Sequence, residues 1–253
     1  MLYYLFDCTF EGLLTAVFDA FSRKENPDKI TGNDSEIPLF TETYTVLTDE
    51  ERSQRVWNVL KKKISKSALQ MLFISFLAES ESVYKHIFNY IVKAVTAEKS
   101  IELNFGDNDV LELSKMFKKV QNEYTRMKQF VRFQKTSDGM YFAAIEPAYD
   151  VIPLCIDFFR DRYADQQWIL YDIKRNYGIF YDLNQTQIVQ FDELPLSLQT
   201  GQLQEERLDE TEIAFRNLWK GYLQAVTIQE RKNLKLQKQH MPVRFWKYMT
   251  EKQ

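Results

Sequence analysis

The chain has 253 residues, 45% hydrophobic and 27% charged, with a formal net charge of −3; this is ordinary for a folded soluble protein, and the length buries a large core. Only seven glycines and two cysteines are present, which argues against glycine-rich phosphate loops and, with no CxxC or Cys/His cluster, against a zinc or iron–sulfur site. Charges interrupt the apolar runs well short of bilayer length and no basic leader precedes Tyr3, so the expected setting is the cytoplasm, with no membrane.

Tyr3 to Phe6 predicts a first strand. Cys8 follows it, and both it and Cys155 read as buried free thiols. Phe10, Leu13, Leu14, Val17, Phe18 and Phe21 recur at helical spacing, with Asp7 or Thr9 as cap. Residues 23–38 are polar, carry Asn26-Pro27 and Gly32-Asn33, and read as a loop; Thr41 to Leu47 reads as a short strand. Thr48-Asp49-Glu50-Glu51 has the form of a capping box with Thr48 at the N-cap, opening a helix that turns Val56, Val59, Leu60 and Ile64 inward. Ala68 to Ala78 is apolar nearly all round and is expected as a buried central helix. Val83 to Thr96 is a further helix, on which His86 has no partner pattern. Asp109 opens a long helix, with Val110, Leu113, Phe117, Val120, Tyr124 and Met127 on one stripe, that feeds directly into Phe130. Glu123 and Arg126 are spaced on it as a simple helical ion pair.

Phe130 to Asp182 organises the rest. Phe130–Phe133 is β-branched and aromatic and predicts a strand; Ser137-Asp138-Gly139 is a turn, and Met140 to Ile145 the returning strand, ended by Glu146-Pro147. A helix over Val151–Tyr163 and a second hairpin, 168–173 with 178–182, complete a hairpin–helix–hairpin. Gln187 to Phe191 reads as an edge strand, Leu194-Pro195 as the start of a linker, and Ile213 to Val226 as an amphipathic helix. The expectation is an α+β fold in one compact domain. A mainly helical part over 1–128 packs with a mostly antiparallel sheet over 129–192, followed by a helix and basic tail over 193–253.

Charge is unevenly spread. Arg231 to Gln253 holds seven Lys/Arg against Glu251 alone, whereas Asp182 to Ala214 holds eight acids against Arg207. The tail interleaves cations and aromatics through Lys238, Gln239, His240, Arg244, Trp246 and Lys247, which suits nucleic acid, because cations neutralise phosphates while rings stack on bases. The plainer readings are a solvated arm, or a terminus that packs Phe245 and Trp246 into a groove of its own protein. Arg132, Arg160, Arg162 and Arg175 lie among Asp157, Asp161 and Asp172, as phosphate ligands or as structural bridges. Glu146, Asp172 and His240 are the acid/base candidates, and Glu146 with Asp150 a carboxylate pair for proton transfer or magnesium. No spacing singles them out. There is no GxSxG, Walker, GxGxxG or HExxH sequence, and no metal or cofactor is implied.

FEGLLTAVFDAF near the start, MKQFVRFQ, GMYFAAIEPAYDVIPL and FFRDRY in the middle, WILYDIKRNYGIFYD after them and LQKQHMPVRFWKYMTE at the end form one set of blocks. Together they resemble a bacterial family of DNA-metabolism or DNA-repair proteins, itself a domain of unknown function, over Tyr3 to Glu251. The resemblance implies an accessory role in DNA repair or modification beside a radical-SAM protein that the family accompanies. Some members carry a fused uracil-DNA-glycosylase-like domain; none lies within these residues. By the family's blocks, Phe130, Arg132, Phe133, Glu146, Pro147, Arg162, Asp172, Arg175, Gln239, Pro242, Arg244 and Trp246 carry over. Lys235 and Lys238 stand in place of arginines, and Leu234 of a proline, which keeps the charge but loses the planar fork. The leading expectation is a protein that contacts DNA through Arg132, Arg162, Arg175, Lys238, Gln239, His240, Arg244, Trp246 and Lys247 and acts with the radical-SAM partner. The alternatives are an adaptor that docks that partner through its acidic segment and aromatic surface, and an enzyme on nucleotides or damaged bases.

Overall fold

A computed structural model of the chain describes residues 1–192, 196 and 202–252 and divides into two compact units, Met1–Asn122 and Glu123–Gln253. The fold is α+β. The linker expected to start at Leu194-Pro195 begins outside the described residues.

In the first unit, β1 (Leu2–Phe6) is the centre of a three-stranded sheet, with β2 (Lys29–Gly32) and β3 (Glu42–Thr45) parallel to it on either side. The expected helical part therefore also carries a parallel sheet. β2 lies inside the stretch read as a loop; it buries only Ile30 and Thr31, too few residues for a period to register. Parallel strands need a crossover, and α1 (Phe10–Arg23) supplies it. Thr9 caps α1, its hydroxyl accepting from Gly12 N at 2.9 Å. A Cβ at Gly12 would stand 2.3 Å from an Asp7 carboxylate oxygen, so a side chain there would displace Asp7 from its hydrogen bonds with Thr9 and Thr48. Asp7 also takes the Thr48 hydroxyl, so α2 (Glu50–Lys63) is capped by Asp49 instead, one residue later than predicted. α3 (Lys66–Phe76) is buried on one side only, with Phe73 exposed, and is not a central helix. α4 (Glu81–Thr96) turns Val83, Ile87, Phe88 and Ile91 into the core. Its His86 does have a partner: Nδ1 donates to Asp109 Oδ1 at 2.7 Å, where Asn89 and Lys93 converge as well. Cys8 is exposed, contrary to the sequence reading, in the tight turn after β1 at φ 58°; Cys155 is buried.

α5 (Asn108–Phe130) carries the chain into the second unit. Phe130 is its last residue, so the strand expected over Phe130–Phe133 does not form and β4 is only Gln134–Lys135. The apolar stripe continues through buried Met127, and Phe130 packs on Phe245 at 5.6 Å, which outweighs local β-propensity. β5 (Tyr141–Ile145), β6 (Trp168–Asp172), β7 (Tyr177–Tyr181) and β8 (Thr186–Val189) complete a sheet ordered β4-β5-β6-β7-β8. Its neighbours are antiparallel except β5 and β6, which are parallel and joined by α6 (Ile152–Arg162). One face packs Phe142, Ala144, Ile169 and Tyr171 with Tyr248 from the C-terminus; Trp168 packs on Phe159 of α6. After α7 (Glu212–Val226) come a 3₁₀ turn, Gln229–Arg231, then α8 (Leu234–His240) and two more 3₁₀ turns, Val243–Tyr248 and Thr250–Lys252.

Candidate nucleic-acid interface

The sequence candidates of the second unit separate to the two ends of the parallel pair β5–β6. At the C-terminal end, Glu146 follows β5 and Asp172 closes β6. Asp172 is fully buried and accepts from the backbone of Lys174 and Arg175 and from Arg175 Nη1 at 2.7 Å. Burial raises its carboxyl, against the opposing pull of Arg175. Arg175 also donates to the carbonyl of Pro147 at 3.3 Å. Hydrogen bonds from Lys247 Nζ at 2.5 Å and the Tyr248 hydroxyl at 2.8 Å hold Glu146 below the usual carboxylate range. Glu123, 1% exposed, binds Arg244, Arg126 and the Ala148 N–H, so it is far more than a helical ion-pair partner. Asp150 instead accepts from the Tyr177 hydroxyl at 2.5 Å. Glu146, Asp172, Arg175, Arg244 and Lys247 are thus engaged as ion pairs: Lys247 with Glu146 and Arg244 with Glu123 fasten the tail to the end of β5 and to α5, and Arg175 with Asp172 closes the turn between β6 and β7. Among the described residues no His, Cys, Asp or Glu group is arranged to hold a metal.

The tail is not a free arm: Phe245, Tyr248, Met249 and Thr250 are buried, and Trp246 Nε1 donates to the Met241 carbonyl at 3.0 Å. Lys252 stands 4.7 Å over the Trp246 ring. Lys238 and Gln239 are exposed on α8.

Away from that network, α7 and the segment up to α8 enclose a groove of about 1160 Å³. Arg132, Lys220, Arg231, Lys232, Lys252 and His240 line it, with Glu251 the one carboxylate among the described residues. Arg132 Nη2 donates to Glu251 at 2.7 Å, while Lys220, Arg231 and Lys232 make no ion pair among the described residues. Arg132 and Trp219 also line a second cleft, of about 540 Å³, by the N-terminal ends of β5 and β6, so the two cavities adjoin at these side chains. Phe133, Tyr141, Tyr163, Trp168 and Phe215 supply its aromatic wall, and Arg162 and Arg216 its other cations. Arg216 is fully engaged with Glu212, Gln202 and Gln134; Arg162 is exposed and makes no ion pair among the described residues. Of the sequence candidates, then, Arg132, His240 and Arg162 reach these cavities. Lys220, Phe215, Trp168 and Trp219 were not singled out. For Phe215 and Trp219 a signal lies in α7, where Glu212, Phe215, Arg216 and Trp219 recur at three- and four-residue spacing.

A model of the family described as domain of unknown function DUF4130 matches residues 81–251, more than half of the chain. The chain belongs to the DUF4130 family. No curated protein and no solved structure matches it. The DUF4130 match begins at the first residue of α4 and takes in the sheet of the second unit, the basic groove and the aromatic cleft. No helix among the described residues is long and apolar enough to cross a membrane.

Proposed function

We infer that this DUF4130 protein contacts nucleic acid in DNA metabolism, holding a strand in the basic groove, and acts beside a radical-SAM partner. The supporting observation is the groove itself: among the described residues, five Lys/Arg side chains and a histidine line it with one carboxylate, in a protein whose net charge is −3. A concave cationic path suits the phosphates of a strand, and Trp219, which lines both this groove and the aromatic cleft, offers a ring for a base. The partner follows from the resemblance of the sequence blocks alone. The test is fluorescence anisotropy with single- and double-stranded DNA at two salt concentrations, comparing wild type with a Lys220→Ala/Arg231→Ala/Lys232→Ala variant. Loss of three phosphate contacts should weaken binding and flatten the single-strand log–log salt slope by about 2. Equal affinity and slope in the two proteins would remove the groove from the reading.

One observation favours an adaptor role instead. Ile213, Phe215, Leu218, Tyr222 and Val226 leave much of α7 apolar and exposed, more than a lone solvated helix carries. Co-expression with the radical-SAM partner separates the two: a stable complex that Leu218→Glu disrupts, with no DNA bound by either protein, selects the adaptor.

A further inference from the structure

Three buried side-chain nitrogen or oxygen atoms among the described residues have no hydrogen-bond partner: Tyr90 Oη, Arg132 Nε and Trp168 Nε1. The last two belong to side chains that line the same aromatic cleft. Buried polar atoms in folded proteins are nearly always paired, so two orphans at one cavity are a signal. Both are donors only, so they call for an acceptor. The wall around them is aromatic, with Phe133 set edge-on to Trp168 at 6.0 Å and Phe215 and Trp219 exposed at the rim. Arg162 adds a cation without an ion-pair partner among the described residues.

We propose that this cleft binds a nucleotide, its base against the aromatic wall with acceptor atoms toward Trp168 Nε1 and Arg132 Nε, and its phosphate on Arg162. The assignment deepens the nucleic-acid reading and rests on it for the ligand class. A base offers what the cleft lacks, a flat π-face together with ring nitrogens or carbonyl oxygens on its edge. A simple anion would meet the donors but leave the rings unused, and an apolar ligand would leave the donors unmet. The volume of about 540 Å³ lies within the range of small-molecule sites. Both nitrogens are buried, so the ligand reaches them as wall side chains shift, a rotamer change of a kind common on binding. Because Arg132 and Trp219 line both cavities, a strand lying in the groove can deliver one unstacked base into the cleft.

The experiment uses the full chain and titrates dAMP, dCMP, dGMP and dTMP in turn, read by tryptophan fluorescence and by heat. At least one should bind saturably below millimolar concentration. Trp168→Phe keeps a ring but deletes the N–H, and should weaken that nucleotide about tenfold. Arg162→Ala should weaken the nucleotide about tenfold and the matching nucleoside hardly at all, since the nucleoside carries no phosphate. If Trp168→Phe fails to fold, Phe215→Ala takes its place; that residue is exposed, and losing a stacking wall should also cost about tenfold. No nucleotide binding by wild type at millimolar concentration overturns the proposal. So does inorganic phosphate competing as well as the nucleotide, or unchanged affinity in the folded variants. A single-stranded oligonucleotide with the triple groove variant identifies the source. Mononucleotide affinity retained while strand binding is lost supports cleft and groove together. Strand binding by wild type without mononucleotide binding overturns the cleft alone, and mononucleotide binding without strand binding overturns the groove and makes a free nucleotide the ligand.

Discussion

Arg175 decides whether Asp172 can be buried at all. The pair is enclosed, the side chains 9% and 0% exposed, and the guanidinium also reaches the Pro147 and Ala148 carbonyls. Removing one partner of such a pair leaves a buried charge uncompensated and costs about 3–5 kcal/mol. Arg175→Ala should therefore lose that much in urea denaturation, and Arg175→Lys should recover only part, because an ammonium cannot span carboxylate and carbonyls together. A loss under about 1 kcal/mol would mean that the Asp172 charge is not buried in solution. Gly178 is a second sensitive position: an added Cβ would lie 2.6 Å from the Leu170 carbonyl and 2.7 Å from the Tyr171 ring. Gly178→Ala should cost about 1–3 kcal/mol by overpacking; a melting temperature equal to wild type would contradict that spacing. Asp109 sets a pH response in the first unit. Burial pushes its carboxyl up, but hydrogen bonds from His86, Lys93 and Asn89 outweigh this and hold it below the usual range. With the folded value depressed, the stabilisation is complete above the unfolded carboxylate value of about 4 and is lost as pH falls through the folded value. Asp109→Asn should be less stable at neutral pH and lose less on acidification; parallel pH profiles for the two proteins would rule Asp109 out as the source.

Among the elements, the C-terminal turns bear on three readings that the sequence leaves open: nucleic-acid contact, a solvated arm, or a terminus packed on its own protein. Arg244 and Lys247 pair with Glu123 and Glu146, and Phe245, Tyr248 and Met249 are core, as the last of these expects. Ending the chain at Glu230 should therefore unfold much of the second unit, and lost DNA binding in such a protein would say nothing about phosphate contacts. Lys235→Glu with Lys238→Glu is the cleaner probe: both side chains are exposed, and the double variant should keep stability to within about 0.5 kcal/mol by thermal melting. A larger loss would place α8 in the core. The helices were legible because long amphipathic stripes such as Val110–Met127 repeat over several turns. The β5, β6 and β7 strands were legible because their turns carry Gly139 and Asn176 at positive φ. β2 was hidden by its shortness, and β4 by an α5 that persists to Phe130. Several of the candidate residues are engaged in ion pairs within the fold. Asp172 and Arg175 are close in sequence and visibly charged, but only the fold shows them sealed against each other. The cleft was invisible for a different reason: Trp168, Arg132 and Trp219 come from three distant segments, and nothing local in any of them records an unmet hydrogen bond.

At the scale of the whole molecule, a net charge of −3 gives no net attraction to a polyanion, so any affinity must come from the local field of the groove rather than from total charge. That field is screened within about 8 Å at physiological ionic strength, which confines the contact to the few phosphates lying directly on Arg132, Lys220, Arg231, Lys232 and Lys252. A duplex and a single strand both offer those phosphates, but only the single strand also offers an unstacked base to the aromatic cleft. Backbone contacts release counterions and weaken with salt, by about 0.9 log units of affinity per contact per decade of salt for a duplex and about 0.7 for a single strand. Stacking and neutral hydrogen bonds in the cleft have no such term. For equal numbers of contacts the preference for single over double strand should widen as salt rises through the difference between those slopes alone, and the cleft should add a salt-independent offset carried by the single strand. Phe215→Ala should therefore lower the single-strand curve by about tenfold at every salt concentration, leaving its slope and the duplex curve in place. Anisotropy isotherms over a fivefold range of potassium chloride measure both. A single-strand curve that Phe215→Ala leaves unmoved would mean that the strand is held by phosphates only, and that the cleft is empty of base when DNA is bound.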